Sequence, residues 1–448
     1  MSNEAPAPVS PLRHFLRLTL AYWKSRQKTR IRGAVLLLVL LTKAQVALAI
    51  WISYWNRELF DALERHDVKE LATLVGTFAL IFILTMLVTA LHLYLKRWLQ
   101  LDWRRWLTRR VRDSWRTRHR HYHLQFANGD HDNPDGRIAE DIRIATESAL
   151  TLALSLLYSI LVLGSFIEIL LEVSGSLPLP LLGIEIPAYM VLLAFVYAGV
   201  GAIFGQLLGS PLVNATNRLQ TAEADLRFGL ARTRENSEAI ALLQGEEHEH
   251  QHVESLFQNV RRSWNCQTLG FIGIVSFSTG YGTLLPVFPI LVAAPQFIIG
   301  MMTLGVLMQA AQAFQRLTSA LSWPIDNLGE LARCRASIDR VMSLYEDMQE
   351  LAVRGEFCGT HCIQLHHSTN HSLEVVDLHL ATPEGRLLLE PLNLSIQPGE
   401  RLLIHGDPSV TSVLFKTLAG LWPWGRGEIA LPAGKSPLFL PQRPFLPK

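Results

Sequence analysis

Six apolar stretches, each long enough to cross the hydrocarbon core of a bilayer as an α-helix, constrain this chain more than any other feature. We predict them at about 33–55, 71–95, 148–171, 186–209, 269–293 and 297–323. Only a short proline-containing turn separates the last two, so their boundary stays open. A soluble protein can bury one or two such helices, but six predict a polytopic membrane bundle. The composition, 49% hydrophobic and 18% charged, agrees.

Lysine and arginine are distributed unevenly among the connections. Lys96–Gln125 and 211–267 are rich in arginine, whereas Glu172–Glu185 and Pro286–Gln296 contain neither basic residue. Because basic connections stay in the cytoplasm, we expect a multi-pass membrane protein with both termini cytoplasmic. The net charge of only +2 indicates no general affinity for nucleic acid.

Near the C-terminus, Leu402–Gly427 has the pattern of a strand, a turn and a helix, the context of a phosphate-binding P-loop. Strands are also predicted at Leu373–Leu380, Arg386–Leu394 and Arg401–Ile404. The loop is damaged, because Thr411 stands where the phosphate-binding lysine belongs and the interior glycines are replaced. The candidate residues of this remnant nucleotide site are Gly406, Asp407, Ser409, Thr411 and Ser412.

Four strings resemble motifs of the SbmA/BacA-like and peroxisomal-type (class D) ABC half-transporters, most closely the bacterial fused permease–ATPase members. The strings are Trp55–Leu63 (WNRELFDAL), Asn133–Asp141 (NPDGRIAED), Arg234–Glu246 (RENSEAIALLQGE) and Leu304–Phe314 (LGVLMQAAQAF). The resemblance extends from about Tyr22 to the last residue and implies a protein of a bacterial inner (plasma) membrane.

The resemblance implies a mainly α fold: a six-helix transmembrane bundle of the type 1 exporter kind, with an α/β nucleotide-binding domain after it. The expected domains are a permease domain (1–345), a linker (346–372) and a partial, degenerate nucleotide-binding domain (373–448). Gln442 resembles the Q-loop glutamine of the family. We find no LSGGQ-type signature, Walker B strand or switch histidine. The expectation is therefore a truncated ATP site with no catalytic residue, which uses ATP and Mg²⁺ only within a complex.

The two long cytoplasmic connections are helix-compatible, so the membrane helices are expected to continue into them. Asn133-Pro134 breaks the first connection and suits the start of a new short helix. The resemblance implies that the tips of both connections couple to nucleotide domains. The coupling candidates are Asn133, Pro134, Asp135, Arg137, Asp141, Glu235, Glu238, Gly245 and Glu246.

Ionisable residues in or beside membrane spans are costly and mark candidate transport paths. These candidates are Lys43, Arg57, Glu58 and Glu168. Gly201, Gly205 and Gly209 recur every four residues, a spacing that favours close helix packing.

A cysteine- and histidine-rich tract lies between bundle and C-terminal domain. It contains Cys358, His361, Cys362, His366, His367 and His371. Its spacing matches no standard zinc site, so we interpret it as an exposed linker and assign no metal.

Three functions stay open. The first is an ABC half-transporter subunit that forms a homodimer or heterodimer and moves a small molecule or peptide. The second is a proton-driven peptide transporter of the SbmA/BacA kind. The third is a non-catalytic partner or the product of a decayed gene.

Overall fold

The computed structural model describes residues 22, 28–126, 133–174, 176–179, 184–356, 363–368, 371–433 and 437–440. The described chain is mainly helical and divides into two compact units. The first unit comprises 1–28, 100–148 and 332–448, and the second comprises 29–99 and 149–331. Both units draw on distant parts of the sequence, because the long helices cross from one unit into the other.

Five described helices are long and apolar enough to cross a membrane. They are α1 (Lys28–Arg65), α2 (Val68–Arg116), α5 (Ile142–Ser174), α6 (Tyr189–Glu235) and α8 (Glu246–Ile298). With 49 residues, α2 is about 74 Å long, more than twice the thickness of a hydrocarbon core. The predicted helical continuation of the membrane segments into the long connections is therefore confirmed.

The predicted count of six spans is not confirmed. The sixth stretch forms a helix, α9 (Leu304–Leu321), but this helix is not among the five candidates. The physical reason is composition: three glutamines and Arg316 interrupt its apolar residues. The helix begins at residue 304 instead of 297, because α8 continues as far as Ile298.

Short elements connect the long helices. The helical ones are α3 (Arg120–His123), α4 (Pro134–Gly136), α7 (Ser237–Leu242) and α10 (Trp323–Asp326). The connection between α5 and α6 contains an antiparallel hairpin of β1 (Ser176–Leu179) and β2 (Ile184–Pro187), in which Leu177 pairs with Ile186.

The core of the second unit lies where α5, α6, α8 and α9 meet. Tyr197 stacks on Tyr281 with ring centroids 4.4 Å apart, and Phe166 and Phe314 are fully buried. A Cβ on Gly201 would lie 2.6 Å from the Tyr281 ring, so the predicted close packing holds there. It does not hold at Gly205 and Gly209, which have no heavy atom within 4 Å of such a Cβ among the described residues.

The C-terminal part of the first unit is a four-stranded sheet. Its strands are β3 (Ile363–His367), β4 (Leu373–Ala381), β5 (Leu387–Ile396) and β6 (Gly425–Leu431), in the order β3-β6-β4-β5. Strand β6 runs parallel to β3 and antiparallel to β4. The helix α12 (Pro408–Leu418) packs Leu414 against Val375, Leu378 and Ile429 of this sheet.

The predicted strand at Arg401–Ile404 is wrong: these residues form no strand. A strand needs a neighbour for its backbone hydrogen bonds, and none of the described strands pairs with this segment. Leu403 is consequently 90% exposed. The predicted linker, 346–372, contains the end of α11 (Leu328–Glu356) and the strand β3.

Candidate functional site

The tip of the first long connection begins a helix at Pro134, as predicted. The Asn133 side chain makes no capping hydrogen bond, so the proline itself, with its fixed φ, marks the start of the helix. Asn133 and Asp135 are exposed. A π-helical turn over Arg137–Asp141 then joins α4 to α5.

Asp141, the last residue of that turn, is held by an ion pair with Arg340 of α11. The Arg340 Nε donates to Asp141 Oδ2 over 2.8 Å, and a terminal nitrogen of Arg340 donates to the other carboxylate oxygen. These hydrogen bonds raise the pKa of Arg340. The Asp141 side chain is only 10% exposed, so the pair anchors the end of the tip to the helix that leads into the C-terminal domain.

A second contact joins the same connection to the C-terminal sheet. We call it the aromatic joint, and it consists of Tyr122, His123, Phe126, Lys416, Trp422 and Trp424. The ring centroid of Phe126 lies 5.1 Å from that of Trp422 and 5.3 Å from that of Trp424, edge to face. Such aromatic pairs contribute about 0.5–1.5 kcal/mol beyond the area they bury.

Two hydrogen bonds fix the joint. His123 Nε2 lies 3.0 Å from the carbonyl oxygen of Leu421, to which its N–H donates. The indole N–H of Trp422 donates to the carbonyl oxygen of Ala381 over 2.9 Å. The Lys416 ammonium lies 5.8 Å from the Tyr122 ring and 6.0 Å from the Trp422 ring. The first connection is thus packed on the sheet that carries the remnant loop.

The pKa of His123 is lowered, mainly because the ring is buried and also because His119 and His121 lie nearby. The folded chain then takes up a proton at lower pH than the unfolded chain, so stability is complete above the unfolded pKa of about 6.5. It falls as the pH falls through the folded value. We expect the thermal midpoint of the wild type to drop between about pH 7 and pH 5 more than that of His123→Phe.

The control for this pH dependence is His371→Gln, because His371 is an exposed histidine of the same unit. Its midpoint should follow the wild type throughout the range. Parallel pH profiles for the wild type and His123→Phe would show that His123 does not cause the loss.

In the predicted remnant loop, a carboxylate of the chain accepts hydrogen bonds at the start of α12. Asp407 caps α12, and its Oδ1 accepts hydrogen bonds from the Ser409 N–H over 2.7 Å and from the Ser409 hydroxyl over 2.6 Å. These bonds lower the pKa of Asp407. The Thr411 hydroxyl donates to the Asp407 carbonyl oxygen over 2.9 Å.

The backbone amides that would receive a phosphate are correspondingly few. Pro408 removes one N–H at the first position of α12, and Asp407 takes the next one. Gly406 and Asp407 are exposed, and Ser412 is half-buried. The predicted Q-loop residue Gln442 lies outside the described residues.

The coupling candidates of the second long connection lie where three helices meet end to end. Glu235 ends α6, Glu238 lies in α7, and Gly245 precedes Glu246, the first residue of α8. The three glutamates are exposed. They belong to the second unit, whereas the candidates from Asn133 to Asp141 belong to the first.

Two carboxylates beyond the first span, which were not among the predicted candidates, hold the start of α9. Asp61 Oδ1 accepts from the Gly305 N–H and Glu64 Oε2 from the Leu304 N–H, both over 2.9 Å. Two carboxylates of α1 therefore cap the N-terminus of α9, where the helix dipole favours negative charge. Arg57 contributes its backbone carbonyl oxygen, which a Cβ at residue 305 would overlap.

A cavity of about 460 Å³ lies inside the second unit, between α1, α2, α5 and α9. Lys43, Arg57, Glu58 and Glu168 do not line it; Lys43, Glu58 and Glu168 are exposed. The lining includes Thr85, Thr89, His92 and Lys96 of α2. Their spacing of four, three and four residues places them on one face of the helix, a signal in the sequence that our prediction missed.

Among the described residues, His366, His367 and His371 belong to no cluster of three or more potential metal ligands. Cys358, His361 and Cys362 lie outside that part of the chain.

Five helices long and apolar enough to cross a membrane, together with a small C-terminal sheet and a P-loop-like turn, are typical of a membrane protein of the transporter class. Residues 18–281 match the family described as ABC transporter transmembrane region 2, and the chain belongs to that family.

Three relatives illustrate the similarity. The inner membrane ABC transporter ATP-binding protein YddA of Escherichia coli is 30% identical over 94% of this chain and 74% of its own length. ABC transporter D family member 2 of Arabidopsis thaliana is 27% identical over 96% of this chain and 65% of its own length. The human lysosomal cobalamin transporter ABCD4 is 24% identical over 87% of this chain and 66% of its own length. The relatives support the peroxisomal-type half of the predicted resemblance, and they do not support the SbmA/BacA half.

Proposed function

We propose that this chain is a half-transporter of the ABC superfamily that works as a dimer in a bacterial inner membrane, with both termini in the cytoplasm. It moves a small molecule or a peptide. The observation that carries the proposal is the aromatic joint, because it packs the connection that follows the membrane helix α2 on the sheet of a nucleotide-type domain. Such a contact can transmit motion of that domain to the bundle.

The dimer is the testable part of this function. We would purify the tagged chain from membranes in nanodiscs and measure the mass of the complex. The expected result is two half-transporters in each complex, either two copies of this chain or one copy with a companion. A chain that stays monomeric at micromolar concentration would overturn the proposal.

We further propose that the remnant loop of this chain binds ATP weakly, so that ATP and Mg²⁺ act at a site of the complex outside this loop. Three features support this: Asp407 places a negative charge at the N-terminus of α12, Pro408 removes an amide donor, and Thr411 cannot reach and neutralise a phosphate.

We expect Asp407→Gly combined with Thr411→Lys to bind a fluorescent ATP analogue at least about tenfold more tightly than the wild type, since tenfold corresponds to about 1.4 kcal/mol. The measurement is a titration followed by fluorescence anisotropy, with Mg²⁺ present. The matched control is Glu390→Gln with Ser395→Lys, which makes the same change of charge at exposed positions of β5. Micromolar binding by the wild type, or an equal gain in the control, would contradict the prediction.

A further inference from the structure

We propose that the cavity of the second unit is a binding site for the anionic group of a polar organic anion carrying a carboxylate or phosphate. This inference rests on the proposed transport function and assigns a substrate class to it. The site comprises Lys96, Arg316 and His92, together with the hydroxyl groups of the same walls.

The charges of the lining have one sign. Lys96 and His92 come from α2 and Arg316 comes from α9, so two separate helices contribute basic groups to one space. None of the described residues that line the cavity is an aspartate or a glutamate. Within the described part of the chain, neither Lys96 nor Arg316 forms an ion pair.

Cations between membrane helices are expensive unless a partner or water offsets their desolvation. Lys96 is half-buried just beyond the predicted span 71–95, and Arg316 is exposed on α9, whose apolar residues three glutamines also interrupt. The convergence of these two cations on one cavity, with no acidic residue among its described lining, points to an anionic ligand.

The hydroxyl groups that line the cavity place a second requirement on the ligand. Thr85 donates to the carbonyl oxygen of Ile81, four residues earlier, which leaves its oxygen lone pairs as acceptors. The Thr42 hydroxyl donates to the carbonyl oxygen of Leu38 and lies 3.3 Å from His92 Nε2, so it accepts from the imidazole N–H and ties the ring to the wall. A ligand that matches this lining carries hydrogen-bond donors as well as an anionic group.

The remaining walls are apolar: Leu48, Ala49 and Ile52 of α1 and Leu154 of α5. A volume of about 460 Å³ falls in the range of sites for small organic ligands. The ligand class is therefore an organic anion of moderate size with an apolar face. An anionic phospholipid headgroup has the same anionic chemistry, so the experiment must separate the two sources.

The experiment uses the full-length chain, in the complex in which it purifies, in nanodiscs of zwitterionic phosphatidylcholine. The probe is 4-hydroxybenzoate, and its neutral isostere 4-hydroxybenzamide is the comparison. Binding is measured by calorimetric titration and as a rise of the thermal midpoint. We expect the anion to bind and the amide to bind at least about fivefold more weakly, a difference of about 1 kcal/mol.

The variants are Lys96→Gln and Arg316→Gln, each of which should weaken binding of the anion about fivefold or more. Lys96→Arg keeps the charge and should retain binding even if the glutamine variant folds poorly. The matched control is Lys69→Gln, since Lys69 is an exposed lysine at the start of the same helix α2 and does not line the cavity. Its affinity should equal that of the wild type.

A second set of nanodiscs containing phosphatidylglycerol separates a lipid from a soluble anion. If the lipid headgroup is the ligand, the acidic lipid raises the midpoint of the wild type but not of Lys96→Gln, and added 4-hydroxybenzoate has no further effect. Equal binding of the amide and the anion, or unchanged binding in both glutamine variants, would overturn the proposal. A dimer that binds no anion would refute this inference while leaving the proposed transporter intact.

Discussion

Replacing Gly305 with valine is expected to lower the stability of the membrane unit by about 3 kcal/mol or more. Any Cβ at residue 305 would overlap the backbone carbonyl oxygen of Arg57 and would lie 2.5 Å from the Asp61 carboxylate oxygen. Helix α9 would have to move away from α1. It would then lose the hydrogen bonds from Asp61 and Glu64 that cap its first turn. The measurement is the thermal unfolding midpoint, together with the yield of protein that elutes as a single species.

Gly209→Val is the matched control, because it makes the same substitution in a membrane helix where a Cβ meets no heavy atom within 4 Å among the described residues. Its stability should remain close to that of the wild type, since a β-branched residue costs a helix less than 1 kcal/mol and glycine is already a poor helix former. Equal losses of stability in Gly305→Val and Gly209→Val would show that the contact between α1 and α9 does not cause the destabilisation of Gly305→Val.

Trp422→Ala is expected to release the first connection from the C-terminal sheet. The Trp422 side chain is 6% exposed, packs on Phe126 and Trp424, and donates to the Ala381 carbonyl oxygen. Removing a buried tryptophan costs about 3–5 kcal/mol. Hydrogen–deuterium exchange of β4 and of residues 120–126 should therefore accelerate about a hundredfold or more, because both segments lose the contact that keeps them closed.

The control is Trp264→Ala, since Trp264 is 56% exposed and belongs to the other unit. Exchange of the two segments should not change in this variant. Trp422→Phe, which keeps a ring but loses the donor, should give an intermediate rate. Unchanged exchange in Trp422→Ala would contradict our assignment of the joint as the contact that holds the connection on the sheet.

The sequence predicted the parts of this fold that depend on local composition. The apolar stretch at 71–95 predicted a span, and the helix-compatible residues after it predicted that the helix continues, as α2 does. Pro134 predicted the start of a helix because its fixed φ acts without any tertiary partner. The strand predicted at Leu373–Leu380 corresponds to β4.

The predictions that the structure did not confirm concern features that need a partner from a distant part of the chain. The segment Arg401–Ile404 has the composition of a strand, but a strand forms only beside another one. The Gly201, Gly205 and Gly209 pattern predicted close helix packing, yet within the described part of the chain only Gly201 of the three has a neighbour within 4 Å of an added Cβ. Lys43 stood out as a charge in a span, but the cavity is lined by Lys96 of the next helix, one residue beyond the predicted span 71–95.

By itself the sequence determined that this protein is a membrane transporter of the ABC superfamily, because hydropathy, basic connections and long motifs are properties of contiguous residues. It also predicted a phosphate loop altered at Thr411. Only the tertiary structure decided that Asp407 caps α12 in that segment, that Asp61 and Glu64 cap a helix some 240 residues away, and that Lys96 and Arg316 share one cavity. The physical reason is that hydrogen bonds and charges act over a few ångströms, and the fold alone sets which distant residues come that close.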